Sequence, residues 1–212
     1  MKSLALLLLF PSIALADGNS IRGKVSINSP GDDPGPAVVY VTGFSAAPKS
    51  AKEPEVIQKN EHFEPTFLPI VQGQAIRFIN KDSKAHNVFS TSEPRKFDLG
   101  TADSGAQTKV TFPTPGLVDV FCNIHPSMEM RILVLQNPAF TLAQQGAEYR
   151  ISGIPDGKFK VFAWHPHGKP ASKEVELKGG QTVTLDWALD ANQTSTPHLN
   201  KYGRPYRDKQ KY

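Results

Sequence analysis

The stretch Val118-Asp119-Val120-Phe121-Cys122-Asn123-Ile124-His125-Pro126-Ser127-Met128 decides how this chain is read. Strand side chains alternate between faces, so Val118, Val120 and Cys122 share one side, and the valines make it the core side. Cys122 therefore points inward at the strand's end. The turn that follows brings His125 and Met128 back to the same corner. A thiol, an imidazole and a thioether are thus brought together with the spacing Cys-x2-His-x2-Met. A soft thiolate joined by imidazole and a weak thioether is a donor set that selects copper.

Such a set needs a second imidazole, and His86 is the candidate. It follows the apolar run 75–79 and a polar turn, and it precedes the strand-like Asn87-Val88-Phe89. Loops at one end of a sandwich can converge without deforming the scaffold. Met130 competes with Met128 for the weak fourth position. Asn87 and Asn123 are placed to tie the two ligand loops together, and Phe89, Phe121 and Pro126 to keep water away.

Outward from this corner the chain reads as strands. Residues 21–27 alternate apolar and polar, a Pro/Gly/Asp cluster spans 29–36, and 37–41 is a second apolar run. Residues 46–59, rich in Ala, Lys, Pro and Glu, read as an exposed connection. Short runs at 67–71, 75–79, 109–112, 117–121 and 130–135 follow, and 90–105 reads as an insertion between them. Further alternating runs cover 148–151, 158–164, 173–177 and 182–189, with turns at Pro155-Asp156-Gly157 and Gly179-Gly180. No long amphipathic helix is evident. The pattern predicts an all-β chain of sandwiches or small barrels. Beyond Asp190 the chain is polar and aperiodic, which predicts a loose tail.

Composition narrows the class. The 212 residues are 39% hydrophobic with 18 Pro and 16 Gly, enough for one substantial core or two small ones. The net charge of +4 is mild, and no basic stripe crosses the body, which argues against nucleic acid. The excess sits in Lys201, Arg204, Arg207, Lys209 and Lys211, with Asp208 the one acid among them. This is a solvated tail or an electrostatic handle for an acidic partner. At the other end, Lys2, the apolar run 4–9, Pro11 and Ala14-Leu15-Ala16 read as a signal peptide cleaved after Ala16. The alternative is an uncleaved anchor, although the run is short for a bilayer. Export to the periplasm, with no stable membrane insertion after cleavage, is expected. Cys122, the single cysteine, has no internal disulfide partner.

Residues 78–134 resemble the cupredoxins of the plastocyanin and amicyanin kind. The resemblance is carried by Phe78-x-Asn80, Ala85-His86-Asn87-Val88, the strand 118–121 and Cys122-x-x-His125-Pro126-x-Met128. It implies a Greek-key β-sandwich with one type-1 copper held by His86, Cys122, His125 and Met128. Met128 is preferred over Met130 because Arg131-Ile132-Leu133-Val134 then aligns with the strand that follows the axial methionine in these relatives. The whole chain also resembles small exported proteins of a methylamine-utilisation type. In these a cupredoxin is combined with a carboxypeptidase-regulatory-like or transthyretin-like sandwich. Ile154-Pro155-x-Gly157-Lys158-Phe159 and Val161-x-Ala163-Trp164-His165 carry that second likeness.

The expected organisation is a signal peptide over 1–16 and the first strands of an accessory sandwich over 17–46. A linker over 47–61, the copper domain over 62–136, the rest of the accessory sandwich over 137–190 and a basic flexible tail over 191–212 complete it. The resemblance implies single-electron transfer between redox proteins, such as a c-type cytochrome or a dehydrogenase, rather than catalysis. A copper-binding docking or assembly module is the alternative. His165 and His167 form a His-x-His pair, open to a second metal but more simply a turn beside a core Trp164. His62 and His198 sit in polar surroundings that point to no role.

Overall fold

A computed structural model describes residues 18–31, 34–48, 52–193 and 198–206; the expected signal peptide lies outside the described residues. The chain opens with β1 (Asn19–Asn28) and β2 (Ala37–Thr42). β1 is buried at alternate positions, as its sequence predicts, with Ile21, Val25 and Ile27 on the core side.

The chain then leaves this unit and builds a second one. β3 (Glu55–Lys59), β4 (His62–Glu64), β6 (Ala75–Asn80) and β9 (Gln107–Thr111) form one sheet in the order β4-β3-β6-β9. β5 (Phe67–Val71), β7 (His86–Ser90), β8 (Phe97–Ala102), β10 (Gly116–Phe121) and β11 (Glu129–Leu135) form the facing sheet, in the order β5-β11-β10-β7-β8. Their inner faces enclose a core that includes Phe63, Phe78, Phe112, Val118, Val120 and Ile132. This is a Greek-key β-sandwich.

Two stretches differ from their sequence reading. β3 falls inside the stretch expected to be linker, and it pairs in parallel with β6, Val56 beside Phe78. Its signal is faint because the strand is short, with only Val56 of its hydrophobic residues fully in the core and charged Glu55 and Lys59 at its ends. Glu53, just before it, bonds to both Arg77 and Lys109 across the sheet. The insertion-like stretch 90–105 contains β8, which folds back on β7 as a hairpin.

The chain returns through β12 (Phe140–Ala143), β13 (Glu148–Ile154), β14 (Gly157–Trp164), β15 (Ala171–Leu177), β16 (Thr182–Thr184) and β17 (Trp187–Asp190). These complete the first unit. One sheet runs β12-β2-β14-β15; the other has β13, β16 and β17 on β1. Tyr149, Ile151, Val161, Leu177 and Trp187 join the strands already named in their shared core. The run 182–189 is two strands rather than one. The break is at Leu185 and Asp186, where Gly23 lets the backbones meet: a Cβ there would lie 2.0 Å from the Leu185 carbonyl oxygen. Tyr149 Oη donates to that carbonyl and accepts from Trp187 Nε1.

The two units are joined by more than chain. Asn137 Nδ2 donates to the carbonyls of Val41 and Phe44, clamping the point where the chain leaves against the point where it returns. A third apolar cluster then lies between the units. Phe67, Leu133 and Leu135, on the outer face of the five-stranded sheet, pack with Val38, Trp164 and partly buried Phe140. Arg131 reaches across, donating from Nη1 to the Pro166 carbonyl and from Nε to Asp119. Among the described residues no helix is long and apolar enough to cross a membrane.

Candidate metal centre

Cys122, His86 and His125 meet at one end of the second sandwich. Cys122 and His86 are fully buried and His125 is 6% exposed. Cys122 Sγ and one ring nitrogen of each histidine all lie within 4.8 Å of one another. The two Nδ1 atoms are 2.9 Å apart, and His125 Nδ1 is 3.8 Å from Cys122 Sγ.

The outer nitrogens explain why Nδ1 faces inward. His86 Nε2 lies 3.1 Å from Asp82 Oδ2, and His125 Nε2 lies 3.8 Å from Glu61 Oε1. At His86 a proton held on Nε2 by the Asp82 carboxylate leaves a lone pair on Nδ1, the form in which imidazole ligates a metal, while Glu61 lies beyond hydrogen-bond distance of His125. The Glu61 backbone N–H, then the His86 ring, hold the Asp82 carboxyl below the ordinary aspartate value. Glu61 sits in a tight turn between β3 and β4, where Asn60 and Glu61 both have positive φ, and Lys84 bonds its carboxylate.

Local sequence fixes the ligand loops. Asn80, at the end of β6, is fully buried. Its Nδ2 donates to the Lys84 and Ala102 carbonyls, and its Oδ1 accepts from Asp82 N, closing the turn that delivers His86. Asn87 Oδ1 accepts from Asn123 N, and Asn87 Nδ2 donates to Asp98 Oδ1 and the Gly100 carbonyl. This one side chain ties β7, β8 and the cysteine loop together, as its position in the sequence suggested. Backbone N–H groups of Asn87, Ile124 and His125 point at Cys122 Sγ from 3.4 to 3.5 Å. The sulfur thus faces the positive ends of three N–H dipoles.

Met128 and Met130 both face this core, and register separates them. Val120 pairs with Met130 and Phe121 with Glu129. One step further, Cys122 N donates to the Met128 carbonyl, so Met128 stands opposite Cys122. Residues directly opposite across an antiparallel pair share a face. Met130 lies a pleat deeper, opposite Val120.

The donor set fits a soft cation. Two imidazole lone pairs and a sulfur converge in a buried space, where they repel one another unless a proton or a cation lies between them.

The largest departure from the sequence reading is the tail. Residues 198–206 lie on the cysteine loop, where a loose segment was expected. The His198 ring stacks on Phe121 with centroids 3.9 Å apart, and its Nε2 bonds the Pro126 carbonyl at 2.8 Å. Lys201 N donates to Asn123 Oδ1, and Tyr206 Oη donates to the Cys122 carbonyl. Lys201 Nζ pairs with Asp98 Oδ2 at 2.7 Å. Burial opposes the charge on Asp98, but hydrogen bonds from Lys201, Asn87 and Gly100 outweigh it and hold its carboxyl below the ordinary value. Burial, and the nearby Cys122, push the Tyr206 hydroxyl up to about 12. Pro126 is exposed, and the docked tail covers the outer side of Phe121.

Sequence reading did not single out Asp82, Glu61 or Tyr206, gave His198 no role, and marked Asp98 only as part of an insertion that could flank the metal. Asp82, four residues before His86 in a polar turn, carried a usable signal; the others reach the site from distant sequence. The His165/His167 pair is the turn its simpler reading gave. His165 Nε2 bonds the Pro34 carbonyl and Nδ1 accepts from His167 N, so both ring nitrogens are engaged by backbone.

Comparison with known proteins agrees with this geometry over part of the chain. Residues 54–136, under half of the chain, match the family of copper binding proteins, plastocyanin/azurin family. No curated protein matches the chain. Among solved structures, a purple cupredoxin from Nitrosopumilus maritimus is 21% identical, with 39% of this chain and 100% of that chain covered, at a TM-score of 0.36. A Cu(I) amicyanin variant is 19% identical, with 46% and 98% covered, at 0.38. A Cu-containing nitrite reductase from Thermus scotoductus is 23% identical at 0.39, and only 28% of that longer chain is covered. At such TM-scores these likenesses carry no argument about the site. The match to the family and the chemistry of the buried donor set make residues 54–136 a cupredoxin domain of the plastocyanin/azurin kind, with copper as its cofactor.

Proposed function

We propose that this protein carries single electrons between redox partners outside the cytoplasm, on one type-1 copper held by His86 Nδ1, His125 Nδ1, Cys122 Sγ and Met128. The observation that carries this reading is the convergence of two Nδ1 atoms and one sulfur, all within 4.8 Å and buried at the end of a rigid sandwich. Copper, when bound, supplies the one-electron couple. The residues of the chain do the rest. Asn80 and Asn87 fix both ligand loops to the sheets, so a change of charge at the centre meets little rearrangement. Asp82 orients the His86 imidazole. The N–H groups around Cys122 Sγ stabilise negative charge on sulfur and so help to set the potential. Met128, opposite Cys122, supplies the weak fourth contact in preference to Met130.

Export by the segment 1–16 places this work in the periplasm, and a c-type cytochrome or a dehydrogenase is the class of partner expected. A carrier is preferred to a catalyst because residues 54–136 match the plastocyanin/azurin family of copper binding proteins. The accessory sandwich favours a further reading, that of a docking or assembly module. Its cluster around Trp164 holds it against the copper unit, which suits a fixed platform. Its motif likeness to carboxypeptidase-regulatory-like sandwiches points the same way.

The visible and electron-spin-resonance spectra of the copper-loaded protein test the ligand set. An intense blue chromophore is expected in the native protein. It is lost in Cys122→Ala, altered in Met128→Ala and unchanged in Met130→Leu. A Cys122→Ala protein with the native spectrum contradicts the assignment.

A further inference from the structure

We propose that the C-terminal segment 198–206 is a latch on the copper site, which locks the cysteine loop and so retains the metal, with His198, Lys201 and Tyr206 as its positioning residues. This rests on the ligand set proposed above but not on electron transfer. Cys122 and His125 stand on one loop, and a metal leaves them only if that loop moves. The loop is at the surface: Ile124 is 39% exposed, and Pro126 and Ser127 are exposed. Surface loops open locally with ease unless something ties them down.

The segment supplies the ties. Tyr206 Oη donates to the Cys122 carbonyl at 2.8 Å, and His198 Nε2 bonds the Pro126 carbonyl at 2.8 Å. These two carbonyls lie on either side of His125 in the chain. The Tyr206 and His198 rings pack edge to face with centroids 5.2 Å apart, and the His198 ring also stacks on Phe121. The bracket across the loop is therefore braced by its own parts. Lys201 adds a closed circuit of hydrogen bonds. Its N donates to Asn123 Oδ1, and its Nζ pairs with Asp98 Oδ2. Asp98 Oδ1 accepts from Asn87 Nδ2, and Asn87 Oδ1 accepts from Asn123 N, which returns the circuit to its start. The circuit joins the segment, β8, β7 and the cysteine loop, and Asn87 N within it points at Cys122 Sγ. Opening the loop breaks the bracket and the circuit together. The root of the latch belongs to the accessory sandwich. Ala191 N donates to the Asn28 carbonyl and Gln193 N to the His167 carbonyl. Residues 194–197 alone separate Gln193 from His198. The accessory sandwich thus holds one end of a segment whose other end holds the ligand loop.

The test follows copper leaving the full-length copper-loaded protein for an excess of bicinchoninate, with ascorbate as reductant. Tyr206→Phe and His198→Ala should each release copper about threefold to tenfold faster, the effect of losing one hydrogen bond. Lys201→Met, which keeps the N–H and removes only the pair with Asp98, should act in the same direction but less. Leu199→Ala, whose side chain is 51% exposed and makes none of these bonds, should release copper at the native rate. Amide exchange in the copper-free protein separates a latch from a general support of the fold. Residues 122–125 should lose protection in Tyr206→Phe while the strands of both sandwiches keep theirs. Native release and native exchange in both Tyr206→Phe and His198→Ala overturn the proposal, as does slower release. Protection lost throughout the copper unit overturns it too, since the segment would then hold the fold and not the loop. A native protein that binds no copper sinks the ligand set instead, and exchange in the copper-free protein still decides whether the segment locks the loop.

Discussion

The two sandwiches use buried polar groups in opposite ways. In the copper unit they gather at one end. Asn80, His86, Asn87 and His125 are buried together, and their bonds aim donor atoms at a common point. In the accessory unit they are spread out, and each is consumed by nearby backbone or a neighbouring side chain. Asn19 Nδ2 serves the Ile154 carbonyl and Asp156; Tyr149 and Trp187 serve the break between β16 and β17; His165 serves the loop at Pro34. One unit keeps polar capacity in reserve at a single corner, and the other spends all of it on its own strands. Chemistry is expected where the capacity is left over.

The sharpest way to break this contrast is at Cys122. Cys122→Ala should abolish tight copper binding and, with it, the stabilisation that copper gives. That gain is about 2.7 kcal/mol when free metal is a hundredfold above its dissociation constant. Thermal melts with and without copper measure it, and coincident melts are expected in the variant. The accessory unit should register nothing.

Trp164→Ala tests whether the units are one cooperative body. Trp164 packs edge to face on Phe67 at 5.5 Å, and its Nε1 donates to the Gly168 carbonyl. Truncation should cost about 3–5 kcal/mol and split a single calorimetric transition into two. A single transition, shifted but not split, shows that the Asn137 clamp alone couples the units.

Within the accessory unit, Gly23→Ala should cost about 1–3 kcal/mol, because the new methyl meets a carbonyl oxygen held by Tyr149. Tyr149→Phe should cost about 1–2 kcal/mol by leaving Trp187 Nε1 without its partner. Denaturant midpoints measure both, and neither change should move the copper spectrum. Any spectral change would mean the accessory core reaches the ligand loops.

The smallest expected effect concerns the docked segment. Asp98 has a depressed folded value, so its contribution is present above the unfolded value of about 3.9 and is lost as pH falls through the folded one. Below the ordinary aspartate range Lys201 should let go and amide exchange at residues 198–206 should rise. Asp98→Asn should give the same loosening at neutral pH, with little change in global stability.

The same contrast explains what was legible in the sequence. Cys122, His125 and Met128 could be read because they are close in the chain and strand alternation sets their direction. His86 could be read because a metal with this donor set demands a second imidazole. The carboxylates behind the imidazoles could not: Glu61 comes from a hairpin turn in a stretch without periodicity, and β3 is five residues long with one core valine. His198 and Tyr206 reach the loop from a segment with no apolar pattern, held by a ring stack and single hydrogen bonds. Core packing leaves a period in the sequence; contacts made by one side chain on distant backbone do not. The break at Leu185 was hidden for the same reason, since Gly23 records it only as a missing side chain.

The most direct test of the central claim is a spectroelectrochemical titration of the copper-loaded protein at neutral pH. The account predicts that the thiolate-dependent visible band bleaches and returns along a single reversible one-electron curve. Native Met130→Leu behaviour and a shifted potential in Met128→Ala are expected alongside it. A bound copper whose band does not bleach, or bleaches without returning, would contradict the electron-carrier reading.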